Sequence, residues 1–287
     1  MKNKISYLIA DSIFQINGDK LVAVTKNITG FETFHYLGEK EPNFQIFEQD
    51  ELEVFDQKEL LYQFEVEQVN SAFSKYNKGY LLTMKHENGD QLTLWSYSKE
   101  HQVFIHGRFS VQLLRFALWI AYGLMNIHTN RIALHGSCII NQGKAFLFLG
   151  ESGTGKSTHT QLWRKHIPGS FLLNDDSPIL YIKGESVLIY GSPWSGKTPC
   201  YKQEYYPLQA CVRLSQASFN QIKKLNILQS FSAVHPSCPP SFAYADELYD
   251  GVCQTLDKLL YRVPTYHLAC LPNQESAELA YQTLSNH

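Results

Sequence analysis

The run AFLFLGESGTGKST at residues 145–158 constrains this chain more than any other stretch. Residues 145–149 are all apolar, the pattern of a buried strand. Gly150 follows, then four residues, then Gly155-Lys156-Ser157, and residues 156–166 continue on a helical pattern through Leu162 and Trp163. Strand, glycine-rich turn and helix in that order form the phosphate-binding P-loop arrangement. The chemistry explains the residue types. Glycines let successive backbone N–H groups turn inward on a cluster of phosphate oxygens, and the helix N-terminus adds a favourable dipole. The expected nucleotide-binding residues are Gly150, Glu151, Ser152, Gly153, Thr154, Gly155, Lys156, Ser157 and Thr158. Lys156 would bring a cation to the outer phosphates, and the Ser157 hydroxyl would ligate Mg²⁺. The ligand this predicts is a nucleoside triphosphate with Mg²⁺.

Two further features fall close to this loop in the chain. Residues 171–173 are apolar and run into Asn174-Asp175-Asp176, a short strand ending in acids. Two adjacent carboxylates there permit a division of labour, one on metal and one accepting a proton from an attacking hydroxyl. Upstream, residues 131–140 read as a strand and residues 141–144 as a turn, which places His135 in a strand beside the phosphate loop. Residues 179–183 and 186–190 predict a hairpin across Gly184-Glu185. It delivers GSPWSGKT at residues 191–198, a second string of P-loop type. Its Pro193-Trp194 centre is unsuited to backbone cradling, so the expectation is a loop over the phosphoryl acceptor, with Ser192, Trp194 and Lys197 as its candidates.

The flanking sequence predicts two domains in an α/β chain. Residues 1–109 read as a β-rich accessory domain, with hairpins at 13–16/21–24 around Asn17-Gly18 and at 80–85/91–97 around Asn88-Gly89. Residues 62–66 alternate apolar and polar as a strand with one wet face. Residues 110–287 read as the nucleotide-binding domain, opened by a helix at 111–128. Beyond the second glycine-rich loop the expectation is a strand at 210–214, helices at 220–231 and 246–261, a strand at 264–271 and a helix at 274–284.

Composition narrows the partners. A net charge of −2 gives no general attraction to nucleic acid or acidic membranes, and residues 31–70 carry eleven Asp/Glu against two Lys, a face that repels a phosphate backbone. The six cysteines include no C-x-x-C pair, and several sit in apolar runs, as reduced buried thiols do. Residues 7–10 are too short for a signal peptide, and Gln112, Arg115 and Asn126 interrupt the long apolar stretch at 111–127. The expectation is a cytoplasmic protein with neither nucleic-acid nor membrane partners.

Leu134-His135-Gly136-Ser137, a short hairpin, the 150–157 loop and Asn174-Asp175-Asp176, in that order, resemble the kinase domain of HPr kinase/phosphorylase. That domain shares its core with ATP-dependent phosphoenolpyruvate carboxykinases. The resemblance covers residues 131–191 well, the C-terminal third loosely, and the first 110 residues not at all. It implies a mixed-sheet P-loop kinase core in which His135 adjusts the acceptor site, Lys156 holds the outer phosphates, Ser157 and Asp175 hold Mg²⁺, and Asp176 accepts the proton. Leu188-Ile189-Tyr190-Gly191 stands where the family has Glu-x-x-Gly, and the arginine-bearing loop of the reverse reaction has no counterpart. The chain is therefore more similar to the related serine kinases, whose acceptor is a serine, free or in a peptide or protein. A homo-oligomer is compatible with this reading. A nucleotide-binding regulator without phosphotransfer and a carboxykinase-like small-molecule enzyme are the alternatives.

Overall fold

The computed structural model describes residues 3–196 and 198–285, and the chain divides into two compact units. One holds the chain up to His128 together with Ser241–Tyr249, and the other holds Thr129–Pro240 with the chain from Asp250 onward. Both are mixed α/β.

The first unit is built on strands β1 (Lys4–Ile9), β2 (Ser12–Asn17), β3 (Phe44–Glu48), β4 (Glu59–Val66), β5 (Val69–Tyr76), β6 (Gly79–His86), β7 (Gln91–Tyr97) and β8 (Gln102–Arg108). Among the described residues they form one sheet in the order β1-β2-β3-β8-β7-β6-β5-β4. The hairpin expected around Asn17-Gly18 does not form. β2 pairs antiparallel with β1 instead, and Asp19–Lys26 is a helix, α1. The Leu21-Val22-Ala23-Val24 run has strand composition, but Leu21, Val22 and Thr25 share one buried helical face. The carboxylate of Glu48, far along the chain, accepts from the backbone N–H groups of Lys20 (2.9 Å) and Leu21 (3.2 Å) and so satisfies the first turn.

Helix α2 (Val111–Asn126) packs within this first unit. Its Tyr122 hydroxyl donates to the Ile9 carbonyl at 3.1 Å, and its Phe116 ring lies 5.8 Å from that of Phe64. Nearly every side of α2 is apolar and buried, so it needs partners around it. The composition change near Phe109 marks the end of the strands; the unit ends after the helix.

The second unit carries β9 (Arg131–Ala133), β10 (Gly136–Asn141), β11 (Lys144–Leu149), α3 (Lys156–His166), β12 (Phe171–Asp176), β13 (Ile179–Lys183) and β14 (Ser186–Tyr190). It continues with β15 (Tyr205–Gln216), β16 (Gln221–Lys224), α4 (Ile227–Val234), α5 (Asp246–Arg262, its first turn counted with the first unit), β17 (Thr265–Cys270) and α6 (Gln274–Ser285). The path β12-β10-β11-β15-β14-β13-β9 is extended by β17, which pairs with β15, and by β16, which pairs with β17. Long strand β15 serves two neighbourhoods: its first residues pair with β14, and its remainder lies parallel to β11 and β17.

Two expectations change here. Residues 131–140 are not one strand, because β9 pairs with β13 whereas β10 pairs with β11 and β12. The chain leaves one neighbourhood for the other at Leu134-His135, and His135 sits in that break with an exposed side chain. Residues 220–231 are likewise not one helix: Gln221–Lys224 is strand β16 on β17. Helix α4 starts only after Asn226, which with Gln229 forms a capping box.

The core beside the glycine-rich loop is packed by alternation. Phe146 and Phe148 of β11, Val212 and Leu214 of β15, and Tyr266 and Leu268 of β17 face Trp163 of α3 and Ala277 and Ala280 of α6. The residues between them on β15 and β17, Arg213 and His267, therefore point to the opposite face of the sheet. No helix among the described residues is long and apolar enough to cross a membrane.

Candidate functional site

Apolar strand β11 is buried from Ala145 to Leu149 and ends abruptly at the glycine-rich loop. Gly153 (φ 83°) and Gly155 (φ 102°) take left-handed backbone, which only glycine adopts without strain. Gly155 is the residue from which α3 starts, so the amides of the first α3 turn have no carbonyl partner within the helix. Thr154 ties the loop to itself, its Oγ1 donating to the Glu151 carbonyl at 2.8 Å.

Lys156 folds back over the loop. Its Nζ donates to the carbonyls of Gly150 (2.8 Å) and Glu151 (3.1 Å) and lies 3.0 Å from His135 Nε2. An ammonium is a donor only, so Nε2 is the accepting nitrogen and the imidazole proton resides on Nδ1. From there it is directed at Asp176 Oδ1, 3.2 Å away. His135 thus bridges Lys156 and a carboxylate. Burial lowers the Lys156 ammonium from the usual lysine range; Asp176 pulls it back up, Arg213 lowers it, and Asp175 and Glu151 raise it.

Asp175 faces a different partner. It is 5% exposed, and its Oδ1 accepts from Ser157 Oγ at 3.0 Å. Among the described residues no group of three or more His, Cys, Asp or Glu side chains could hold a metal ion. One carboxylate and one hydroxyl are nevertheless hard-oxygen ligands of the kind Mg²⁺ takes when water and phosphate complete its shell. On that chemistry Ser157 and Asp175 fit the ion.

The β12 end is held from below. Buried Asn174 donates from Nδ2 to Ser192 O and Ser192 Oγ, both at 3.2 Å, and accepts at Oδ1 from the N–H groups of Asp176 (3.1 Å) and Ser177 (2.9 Å). Gly196 N–H donates to the Asp175 carbonyl at 2.7 Å, and Ser195 bridges Asp176. Ser192 and Trp194, expected to face an acceptor, are buried beneath the acids and support the strand end. Lys197 lies outside the described residues.

The structure thus brings His135, Lys156, Ser157, Asp175 and Asp176 together around one loop. Glu151 reaches away from this group and pairs with Arg213, Gln216 Nε2 donates to the Gly153 carbonyl at 3.1 Å, and Ser152 and Thr158 are exposed. Arg213 and Gln216 escaped the sequence reading. The available signal was an arginine inside the otherwise apolar run at 210–214, but its place beside the loop depends on β15 pairing with β11.

Fold and site together define a mixed α/β chain with a glycine-rich loop between strand and helix, a lysine drawn back over it, and two carboxylates with separate partners. No family model matches the chain, and no curated protein sequence matches it. Among solved structures, the HPr(Ser) kinase/phosphatase from Coxiella burnetii is similar over 54% of this chain and 95% of its own, at 9% identity and a TM-score of 0.32. That likeness is distant and decides nothing about chemistry.

Proposed function

We propose that this chain is an ATP- and Mg²⁺-dependent kinase that transfers the γ-phosphoryl group to a hydroxyl, a serine in the first instance, free or within a peptide or protein. The observation carrying the proposal is the Lys156–His135–Asp176 chain set against the separate Ser157–Asp175 pair. A P-loop core needs a cation, a metal anchor and a proton acceptor within reach of one phosphate cluster, and these five side chains supply all three.

In this reading the loop amides and Lys156 hold the β- and γ-phosphates, and Lys156 exchanges its contacts with the loop carbonyls for phosphate oxygens. Ser157 and Asp175 hold Mg²⁺, which when bound neutralises phosphate charge. Asp176 receives the proton of the acceptor hydroxyl as its oxygen bonds to phosphorus and the bond to the leaving ADP oxygen breaks. His135 orients Asp176 through its Nδ1 proton and keeps the carboxylate beside Lys156. Positioning and charge neutralisation carry most of such a reaction.

The test is γ-labelled ATP with Mg²⁺, incubated with the wild type and with Lys156→Ala, in the presence of serine, a serine peptide mixture or a protein lysate. Label is expected on a seryl hydroxyl with the wild type only. ATP binding without label in any acceptor would replace the kinase with a nucleotide-binding regulator, and a folded Lys156→Ala that still transfers phosphate would overturn the loop assignment.

A further inference from the structure

One row of paired residues crosses the sheet at the level of the glycine-rich loop. Asp176 of β12 is opposite Gly136 of β10, Gly136 is opposite Leu149 of β11, Leu149 is opposite Arg213 of β15, and Arg213 is opposite His267 of β17. The loop leaves from Leu149, near the middle of the row. At neighbouring-strand spacing the row is about 19 Å long, of the order of an extended nucleoside triphosphate. Its two flanks differ chemically. On the β12 side stand Asp175, Asp176 and His135. On the other side, α4 lies over β15 and β17 and leaves a cleft of about 410 Å³. The cleft is shallow and largely open to water, so an occupant would lie against its wall rather than be enclosed.

Among the described residues the cleft is walled by Leu225, Leu228 and Ala233, with Gln229, Ser232 and His267 as polar groups and Arg213 as the charged one. Leu228 is 78% exposed, a large apolar side chain at the cleft in water. Arg213 also joins the cleft to the loop: its guanidinium pairs with Glu151 and reaches the Ala233 carbonyl at 3.5 Å. An open apolar surface with a few hydrogen-bonding groups and a planar cation suits one face of a flat, uncharged heteroaromatic ring. A triphosphate lying on the loop has a direction. Its terminal end must meet the metal anchor and the proton acceptor, which occupy the β12 flank. Its other end then runs toward β15 and β17.

We propose that the cleft between α4 and the β15–β17 pair is the nucleoside subsite, receiving the base and ribose of the nucleotide, while the phosphoryl acceptor enters from the β12 flank. This rests on the reading of the loop as a triphosphate site and adds to it the direction in which the nucleotide lies. The acceptor, on this geometry, never occupies the cleft.

The experiment compares Mg²⁺–ATP with inorganic tripolyphosphate, which has the phosphates and no nucleoside, by titration calorimetry on the full-length chain. The variants are Ser232→Trp, which fills the cleft from an exposed position on α4, and Leu228→Asp, which charges its exposed wall. Both are expected to weaken ATP binding about tenfold or more while leaving tripolyphosphate binding as in the wild type. If wild type binds both ligands and both variants leave ATP affinity unchanged, the cleft is not the nucleoside subsite, although the loop reading stands. If wild type binds neither ATP nor tripolyphosphate, the loop reading itself fails and takes the subsite with it.

Discussion

Asp175 and Asp176 are adjacent in sequence, yet one faces Ser157 and the other His135. Their substitution by asparagine should therefore separate into two phenotypes. Asp176→Asn keeps the size and one oxygen but cannot take a proton at neutral pH. It should lower phosphoryl transfer at saturating ATP by roughly two to four orders of magnitude with ATP affinity nearly unchanged. Asp175→Asn should instead raise the Mg²⁺ concentration needed for half-maximal transfer. Titrating Mg²⁺ against transfer rate in both variants checks the division, and wild-type transfer by Asp176→Asn would remove that residue from the mechanism. A second residue-scale prediction concerns His159, on the buried face of α3, whose Nε2 accepts from Trp163 Nε1 one turn on at 3.2 Å. Burial pushes its pKa down from 6.5 to about 4. Between those values the unfolded chain holds more proton than the folded one. The stability contribution is thus complete above pH 6.5 and is lost as pH falls toward 4, to a total of about 3 kcal/mol. Urea midpoints at pH 7 and pH 4.5 should show this loss, and His159→Gln, which retains an acceptor for Trp163, should flatten it.

At the level of elements, the end of β12 depends on the second glycine-rich loop. Asn174 is fully buried and is the strut between them, both donating to Ser192 and accepting from the amides of Asp176 and Ser177. Asn174→Ala strands several of these groups away from water, so a loss of about 2–4 kcal/mol in chemical denaturation is expected. A reduced transfer rate should accompany it, because both aspartates hang on that strand end. An unchanged denaturation midpoint would show that the loop does not brace the strand. What was legible in the sequence follows the same logic. The β11–loop–α3 unit, the 179–190 hairpin and the acids at 174–176 could be read because contiguous residues carry their apolar run, glycine spacing and turn chemistry. Helix α1 was not legible, since Leu21-Val22-Ala23-Val24 has strand composition and its N-terminus is satisfied by Glu48 from another element. The exposure of His135 and the nearness of Arg213 to the loop were equally hidden, because both arise from pairings between strands far apart in sequence. Ser192 and Trp194 differ in another way: a loop expected over the acceptor has both side chains buried, and that burial comes from strand-end contacts that the sequence does not display.

For the whole molecule, the division into units makes a prediction that the composition change near Phe109 would get wrong. A fragment starting at Ser110 would keep α2 and discard the strands and helix on which it packs. Leu113, Leu114, Leu118, Ile120 and Leu124 of α2 are all buried in the full chain. Each such side chain is worth about 1.5–3 kcal/mol when removed from water, so their joint exposure rivals the roughly 5–15 kcal/mol by which a typical domain is stable. That fragment should aggregate or unfold. A fragment starting at Thr129 leaves α2 behind and preserves the core of β11, β15, β17, α3 and α6. The segment Ser241–Tyr249 is counted with the first unit and carries Phe242, whose ring stacks with Phe73 at 6.5 Å, so in this fragment it should be replaced by a Gly/Ser linker of equal length. Helix α5 then begins at Asp250 with its apolar Val252, Leu256 and Leu259 intact. The expected outcome is a soluble, cooperatively unfolding monomer from the Thr129 fragment that binds ATP–Mg²⁺ with the affinity of the full chain. Size-exclusion chromatography, thermal unfolding and nucleotide titration of both fragments decide it. If the Ser110 fragment folds and the Thr129 fragment does not, α2 belongs with the second unit; if the Thr129 fragment folds but is blind to a nucleotide that the full chain binds, residues of the first unit complete the site.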